Sequence, residues 1–143
     1  YSDRSGPALS AALQGLGARI AVSEILPDDQ DLLQAKLCEL CDAGEVNLLM
    51  TTGGTGLTAR DITPEAISAV IEKPAPGIGE VLRSASARHI STAWLSRSLA
   101  GVRTGTLIIS LPGSPKAIDE CMQILRPIIG HAVRLANDAK QNR

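Results

Sequence analysis

Two short, continuously apolar runs constrain the fold of this chain more than any other feature. They are VNLLMTT at 46–52 and TLIISL at 106–111. Runs of this length are typical of strands that helices cover on both faces of a parallel sheet. Helical patterns separate the two runs, so we predict one α/β domain over residues 1–143, a three-layer, open, mostly parallel sheet with helices on both faces.

Apolar periodicity and capping residues predict the remaining elements. We predict helices over 5–16, 27–44, 63–73 and 77–88, and a long helix from residue 115. A further strand, rich in β-branched residues, is predicted at 18–26. Ser5, Thr63 and Ser114 are expected at helix starts. Pro127 is expected to kink or break the last helix, because proline lacks an N–H and clashes one turn back.

Composition argues against several functions. The net charge is −1, the chain has one Trp, one Tyr and no Phe, and no basic block is present, so nucleic-acid binding is not expected. No apolar run reaches the roughly 18 residues of a membrane span, and we expect no secretory leader. The three cysteines favour a reducing cytoplasm. The Cys38-x-x-Cys41 pair could be a redox or zinc half-site, but its helical setting favours core residues.

Three glycines in four residues follow the first apolar run, in TTGGTGLTARDITPEA at 51–66. Glycine at the end of a strand permits positive φ and brings backbone amides close to a ligand. Such amides form an anion cradle, although a tight turn without a ligand explains the glycines equally well. The residues concerned are Gly53, Gly54 and Gly56, with hydroxyls from Thr51, Thr52 and Thr55.

Asp61 stands out beside this loop, because a carboxylate repels a phosphate unless a cation lies between them. Magnesium binds one or two carboxylates together with substrate phosphates. Asp61 could instead cap the following helix, but Thr63 is the expected cap. We therefore predict a nucleotide-phosphate and Mg²⁺ site here.

Two other loops follow predicted strands and should meet the first at the carboxyl edge of the sheet. LPDDQ at 26–30 supplies Asp28 and Asp29, either of which could cap the next helix. LPGSPKA at 111–117 supplies Gly113, Ser114 and Lys116.

Familiar motifs fit this loop poorly. The chain has no Gly-Lys-Ser/Thr of a Walker A loop and no G-x-S-x-G nucleophile elbow. GTGLTA at 54–59 matches a dinucleotide fingerprint, but the predicted helix begins late and no acid-ended strand follows at the expected distance. A dinucleotide-dependent dehydrogenase remains an alternative.

A resemblance to a known family rests on the three loops at 26–30, 51–66 and 111–117, together with DRSGPAL at 3–9, PG at 76–77 and LSR at 95–97. The chain resembles the molybdopterin adenylyltransferases. These are the Mog-type enzymes of molybdenum-cofactor synthesis, similar to the G domain of gephyrin. The resemblance covers nearly the whole chain. Related molybdenum-insertion enzymes typically carry a GGVS-like loop, so Gly54-Thr55-Gly56 favours the adenylylating branch.

The resemblance implies transfer of AMP from ATP to the terminal phosphate of molybdopterin, with release of pyrophosphate. It implies that Asp28 and Asp61 are catalytic and hold Mg²⁺, with Asp29 as the alternative to Asp28. Glu65 and Arg103 are expected to be structural, Ser86 could be a surface residue, and Arg97 could form a surface salt bridge. The implied substrate-binding residues are Thr52, Gly53, Gly54, Thr55, Gly56, Ser86, Ser96, Arg97, Pro112, Gly113 and Ser114.

The resemblance also implies a cytoplasmic homotrimer that could act with a molybdenum-insertion enzyme of the same pathway. A scaffold that binds molybdopterin without catalysis is the alternative function. The family normally opens with a strand that ends in Ser-Asp, ahead of DRSG. We therefore expect the sequence to lack an N-terminal strand of the domain.

Overall fold

The computed structural model describes residues 3–141, with side chains described as far as Asp138. Four strands form one sheet in the order β1-β4-β3-β2. β1 and β4 are parallel, with Met50 beside Ile109, whereas the β4–β3 and β3–β2 pairs are antiparallel. The α/β class is confirmed, but the sheet is mixed. The strands are β1 (Leu48–Thr52), β2 (Lys73–Pro74), β3 (Ala100–Arg103) and β4 (Thr106–Leu111).

The predicted helices all form, with ends shifted by a few residues. They are α1 (Ser5–Gly15), α2 (Gln30–Asp42), α3 (Thr63–Val70), α4 (Pro76–Ser86) and α5 (Pro115–Gln141). A short 3-10 helix, Ser91–Leu95, follows α4. Among the described residues, no helix has the length and apolar character needed to cross a bilayer.

The two faces of β4 build the two halves of the core. All six of its residues are buried. Leu107, Ile109 and Leu111 pack in one cluster with α1, α4 and α5, while Ile108 packs in the other with α2 and α3. This alternation follows from the two-residue period of a strand and confirms the three-layer arrangement.

β3 was not predicted, and it explains why the sheet is mixed. A two-residue turn at Thr104 and Gly105 joins it to β4, and both residues have positive φ, 49° and 77°. Such a turn matches the twist of an antiparallel hairpin. The Thr-Gly pair ahead of TLIISL was the available sequence signal.

The strand predicted at 18–26 is wrong. These residues have no regular secondary structure and are exposed, apart from half-buried Ile20. β-propensity stabilises a strand only where neighbours pack against it. Among the described residues, β1 pairs with β4 alone, and a cleft of ≈ 1040 Å³ lies between that free edge and this segment. The expected N-terminal strand remains a prediction.

Pro127 was expected to kink or break the last helix, and the break does not occur. α5 runs without interruption over 27 residues, with Pro127 inside it. Pro127 lies on the exposed side of the helix, whereas Leu125 and Ile129 are buried against the core. Tertiary packing of the apolar face therefore outweighs the cost of one proline.

Candidate active site

The glycine loop, residues 53–61, continues directly from β1. The Gly53 N–H donates to the Leu111 carbonyl oxygen at 2.9 Å, which extends the β1–β4 ladder by one bond. Gly53 and Gly54 then adopt positive φ, 87° and 69°. A side chain on Gly54 would overlap the Thr63 hydroxyl. Glycine is therefore required there for both conformation and space.

Several carbonyl groups of the glycine loop accept hydrogen bonds from Thr63 and Arg97. Thr63 was expected to cap α3, but its hydroxyl donates to the Gly53 carbonyl at 3.1 Å, and its N–H donates to the Gly54 carbonyl at 3.2 Å. The residue at the N-cap is Ile62, which makes no side-chain cap. The Thr55 carbonyl accepts from the Arg97 N–H at 2.9 Å.

This arrangement sets the direction of the loop amides. In a planar trans peptide the carbonyl of one residue points opposite to the N–H of the next. The Gly56 carbonyl is held as well, by the Nε of Arg97. The amides that follow these four carbonyls therefore face away from Thr63 and Arg97. Of these, the N–H groups of Gly54, Thr55 and Leu57 have no hydrogen-bond partner within residues 3–141. Unpaired amides on successive residues form an anion-binding concavity.

The Arg97 guanidinium binds protein groups of this loop. It donates to the Gly56 carbonyl from Nε and to the Asp61 carbonyl from Nη2, both at 2.8 Å. It also forms a two-point pair with Glu65, at 2.7 and 3.0 Å. The expected surface salt bridge of Arg97 is thus present, and its partner Glu65 was expected to be structural.

Asp61 belongs to the loop and does not cap α3. One carboxylate oxygen accepts from the Thr58 hydroxyl at 2.8 Å and from the Thr58 N–H at 2.9 Å. The pKa of Asp61 lies below its ordinary value, first because of the Thr58 hydroxyl and then because the Thr58 and Gly56 amides and the charge of Arg97 also favour the ionised form. The site therefore keeps a negative charge at neutral pH.

The structure shows which of the two neighbouring aspartates, Asp28 or Asp29, caps α2. Asp29 caps α2, since its carboxylate accepts from the Leu32 N–H at 3.1 Å. Asp28 lies 3.5 Å from the Arg60 guanidinium of the glycine loop. The ≈ 1040 Å³ cleft is lined at one end by Asp28, Arg60 and residues 51–54. Asp28 therefore faces the loop although no strand precedes it.

The third predicted loop meets the first. Gly113 packs against Gly53, and its carbonyl accepts from the Ser5 hydroxyl, which brings DRSG to the same place. Ser5 is thus a loop contact as well as the first residue of α1. Ser114 caps α5 as predicted, with its hydroxyl accepting from the Ala117 N–H at 3.1 Å. Pro112 is half-buried, whereas Gly113 and Ser114 are exposed.

The two remaining serines lie in different surroundings. Ser96 is adjacent to Arg97, and its hydroxyl lies 3.1 Å from that of buried Ser98. Ser86 lines a separate cavity of ≈ 260 Å³ between the end of α4 and α5. Its membership of the site stays a prediction, as does that of half-buried Thr52.

The cysteines behave as core residues. All three are free; Cys41 and Cys121 are buried and Cys38 is half-buried. Burial raises the pKa of Cys41 and of Cys121 to about 11, which disfavours the reactive thiolate. Within the described part of the chain, no group of three or more His, Cys, Asp or Glu side chains is placed to hold a metal.

A family model described as "Probable molybdopterin binding domain" matches residues 1–131. The chain belongs to this family. This confirms the resemblance, and the family match spans every loop of the site.

Individual members of the molybdopterin-binding family are similar over most of the chain. A molybdopterin adenylyltransferase of Helicobacter pylori is 44% identical over 137 residues, which cover 94% of this chain and 78% of the relative. That of Escherichia coli K12 is 38% identical over 135 residues, covering 93% and 69%. The crystal structure of the molybdopterin biosynthesis enzyme MoaB from Thermus thermophilus superposes with a TM-score of 0.90 at 36% identity, covering 96% of this chain and 87% of that one.

Proposed function

We propose that this protein is a molybdopterin adenylyltransferase, which transfers AMP from ATP to the terminal phosphate of molybdopterin and releases pyrophosphate. The observation that carries the proposal is the glycine loop, which contains both the free Gly54, Thr55 and Leu57 amides and the Asp61 carboxylate. Relatives at 38–44% identity that bear this name support it.

The site suits the transfer of a nucleotidyl group. The attacking group is a phosphate oxygen of the substrate, so the protein needs no nucleophilic side chain of its own. Its tasks are to align two polyanions and to stabilise the charge between them. Fixed amides perform the second task at little reorganisation cost, because they are already oriented before the substrate binds.

We propose Asp28 and Asp61 as the Mg²⁺ ligands. Magnesium needs only one or two carboxylates, because water and phosphate oxygens complete its shell. Both side chains already have a partner, Arg60 for Asp28 and Thr58 for Asp61. Bound Mg²⁺ would neutralise phosphate charge and orient the reacting groups.

We further propose a cytoplasmic homotrimer. Free thiols at all three cysteines agree with a reducing compartment. Ile90, Trp94 and Leu95 expose more than half of their surface around the 3-10 helix, which suits contact with another copy. A molybdenum-insertion enzyme would be the next partner, because it would use the adenylylated product.

The function is tested by incubating the purified protein with ATP, Mg²⁺ and molybdopterin and measuring pyrophosphate release. We expect release to depend on all three, and Asp61→Asn to slow it by about 100-fold with an unchanged circular dichroism spectrum. Asp138→Asn is the control, because this exposed aspartate lies near the far end of α5. Molybdopterin binding without any pyrophosphate release would instead establish the scaffold function.

A further inference from the structure

Arg97 has little capacity left for a ligand. Its guanidinium makes four hydrogen bonds, to the Gly56 and Asp61 carbonyls and to both oxygens of Glu65. An arginine side chain has five N–H groups. One N–H therefore remains, which is too few for the two-point contact that makes arginine a strong phosphate ligand.

The two carbonyls that the Arg97 guanidinium holds both lie in the glycine loop. Gly56 and Asp61 are five positions apart, and the guanidinium bridges them. The Arg97 N–H fixes a third carbonyl, that of Thr55. Holding the Gly56 carbonyl on the protein side turns the following N–H group, that of Leu57, to the opposite side. The Gly56 N–H itself contacts the Asp61 carboxylate.

Glu65 fixes the orientation of the arginine. It lies in the first turn of α3, and its carboxylate engages Nη1 and Nη2 at once, which sets the plane of the guanidinium. Both side chains are about a third or more exposed, 35% for Arg97 and 43% for Glu65. A pair exposed to this extent adds little to the free energy of unfolding. Its main effect is therefore geometric.

We propose that Arg97 and Glu65 are positioning residues that hold the Gly56 and Asp61 carbonyls of the glycine loop away from the ligand, so that the Leu57 amide faces a polyphosphate. The sequence predicted that Arg97 contacts the substrate directly, and we propose the positioning role instead. The inference rests on the proposed function only in naming a polyphosphate as the ligand.

Electrostatics and geometry predict opposite signs for one substitution. Removing a carboxylate near an anion site weakens repulsion, so Glu65→Gln should tighten pyrophosphate binding if Arg97 is a direct ligand or if Glu65 acts only through its charge. If the pair positions the loop, Glu65→Gln leaves the orientation of the Arg97 guanidinium less constrained, and pyrophosphate binding becomes weaker.

The test is calorimetric titration of the full chain with inorganic pyrophosphate and Mg²⁺. We expect the dissociation constant to rise about tenfold in Glu65→Gln, and by a similar factor in Arg97→Lys, which keeps the charge but loses the planar fork. We expect the double variant to bind no more weakly than Arg97→Lys, because both changes disturb the same loop geometry.

A second arginine pair provides the matched control. Arg103 makes a two-point pair with Asp42 at 3.0 and 3.1 Å and donates to the Val70 carbonyl at 2.9 Å, but it lies at the β3–β4 hairpin. Arg103→Lys and Asp42→Asn should leave the pyrophosphate affinity unchanged. Amide NMR spectra of Glu65→Gln should show a shift at Leu57, whose preceding carbonyl accepts from the Arg97 guanidinium, that the controls lack.

Three results would overturn the inference. They are equal or tighter pyrophosphate binding by Glu65→Gln, a loss in the double variant equal to the product of the single losses, and no pyrophosphate binding by the unchanged protein. Failure of AMP transfer with intact pyrophosphate binding would refute the proposed function alone, because the titration requires no transfer.

Discussion

Gly53 and Gly113 touch through their backbones, at the junction of two loops that are 60 positions apart in the sequence. A Cβ placed on Gly113 would lie 3.2 Å from the Gly53 Cα, whereas one on Gly53 would lie 3.9 Å from the Gly113 Cα. One loop follows β1 and the other follows β4, and the parallel pairing of these strands puts their carboxyl ends side by side. This contact joins the two loops into one site.

Alanine substitutions should separate backbone strain from crowding at this junction. Gly54→Ala should lower the free energy of unfolding by about 1–3 kcal/mol, because φ is positive and the methyl group would overlap the Thr63 hydroxyl. Gly113→Ala should cost less, since the Gly53 loop need move only a few tenths of an ångström, but it should still reduce AMP transfer. Urea unfolding and pyrophosphate release measure the two effects.

Gly77→Ala is the control for these substitutions. Gly77 lies in α4 with nothing within 4 Å of the added methyl group, and its φ is not positive. The change should therefore be neutral or stabilise the protein by up to about 1 kcal/mol. A Gly54→Ala protein as stable as Gly77→Ala would contradict the described loop conformation.

Asp28 and Asp29 should give opposite results. Asp29→Ala removes the cap of α2 and should lower the free energy of unfolding by about 0.5–2 kcal/mol, with AMP transfer retained. Asp28→Ala breaks only an exposed ion pair with Arg60, so stability should change by less than about 0.5 kcal/mol. Its rate of AMP transfer should fall at least tenfold, because a proposed metal ligand is lost.

The two substitutions serve as controls for each other, because the same two assays are applied to both. Loss of activity in Asp29→Ala with full activity in Asp28→Ala would reverse the assignment of the metal ligand.

The ionisation of Asp61 should depend on Thr58. The Thr58 hydroxyl is the largest cause of the lowered pKa, so Thr58→Val should raise the pKa of Asp61 towards its ordinary value while the amide contacts still hold it down. Because the folded-state pKa is lowered, the contribution of this carboxylate to stability is present above the unfolded value of about 3.9 and is lost as pH falls through the folded value.

The titration of Asp61 can be followed by carboxyl-carbon NMR. Thr92→Val, at an exposed position in the 3-10 helix, should leave the pKa of Asp61 unchanged. An equal pKa of Asp61 in Thr58→Val and the unchanged protein would show that the hydroxyl does not hold the carboxylate.

Pro127→Ala should stabilise the protein. The proline occupies an exposed position inside α5, where it removes a helix hydrogen bond, so alanine should raise the free energy of unfolding by about 1–3 kcal/mol. Thermal and urea unfolding test this. Arg126→Ala, the exposed neighbour, should change stability by less than about 0.5 kcal/mol. A destabilised Pro127→Ala would indicate that the ring itself makes a needed contact.

The individual elements show which sequence patterns were reliable. The run at 106–111 forms β4, and the Ser-Pro pair at 114–115 begins α5, because burial and capping act within a few residues. The segment at 18–26 also contains β-branched residues but forms no strand, since a strand also needs a hydrogen-bonded neighbour. Thr63 has a capping pattern but contacts the glycine loop instead.

The sequence by itself determined the class of the fold and the position of the glycine loop. Each depends on local conformation, such as positive φ at glycine or the apolar character of a short strand. Only the tertiary structure decided the direction of β3, which of Asp28 and Asp29 caps α2, and the engagement of Arg97 with Glu65. These are contacts between residues up to tens of positions apart, and local propensity carries no information about which distant side chain will be within reach.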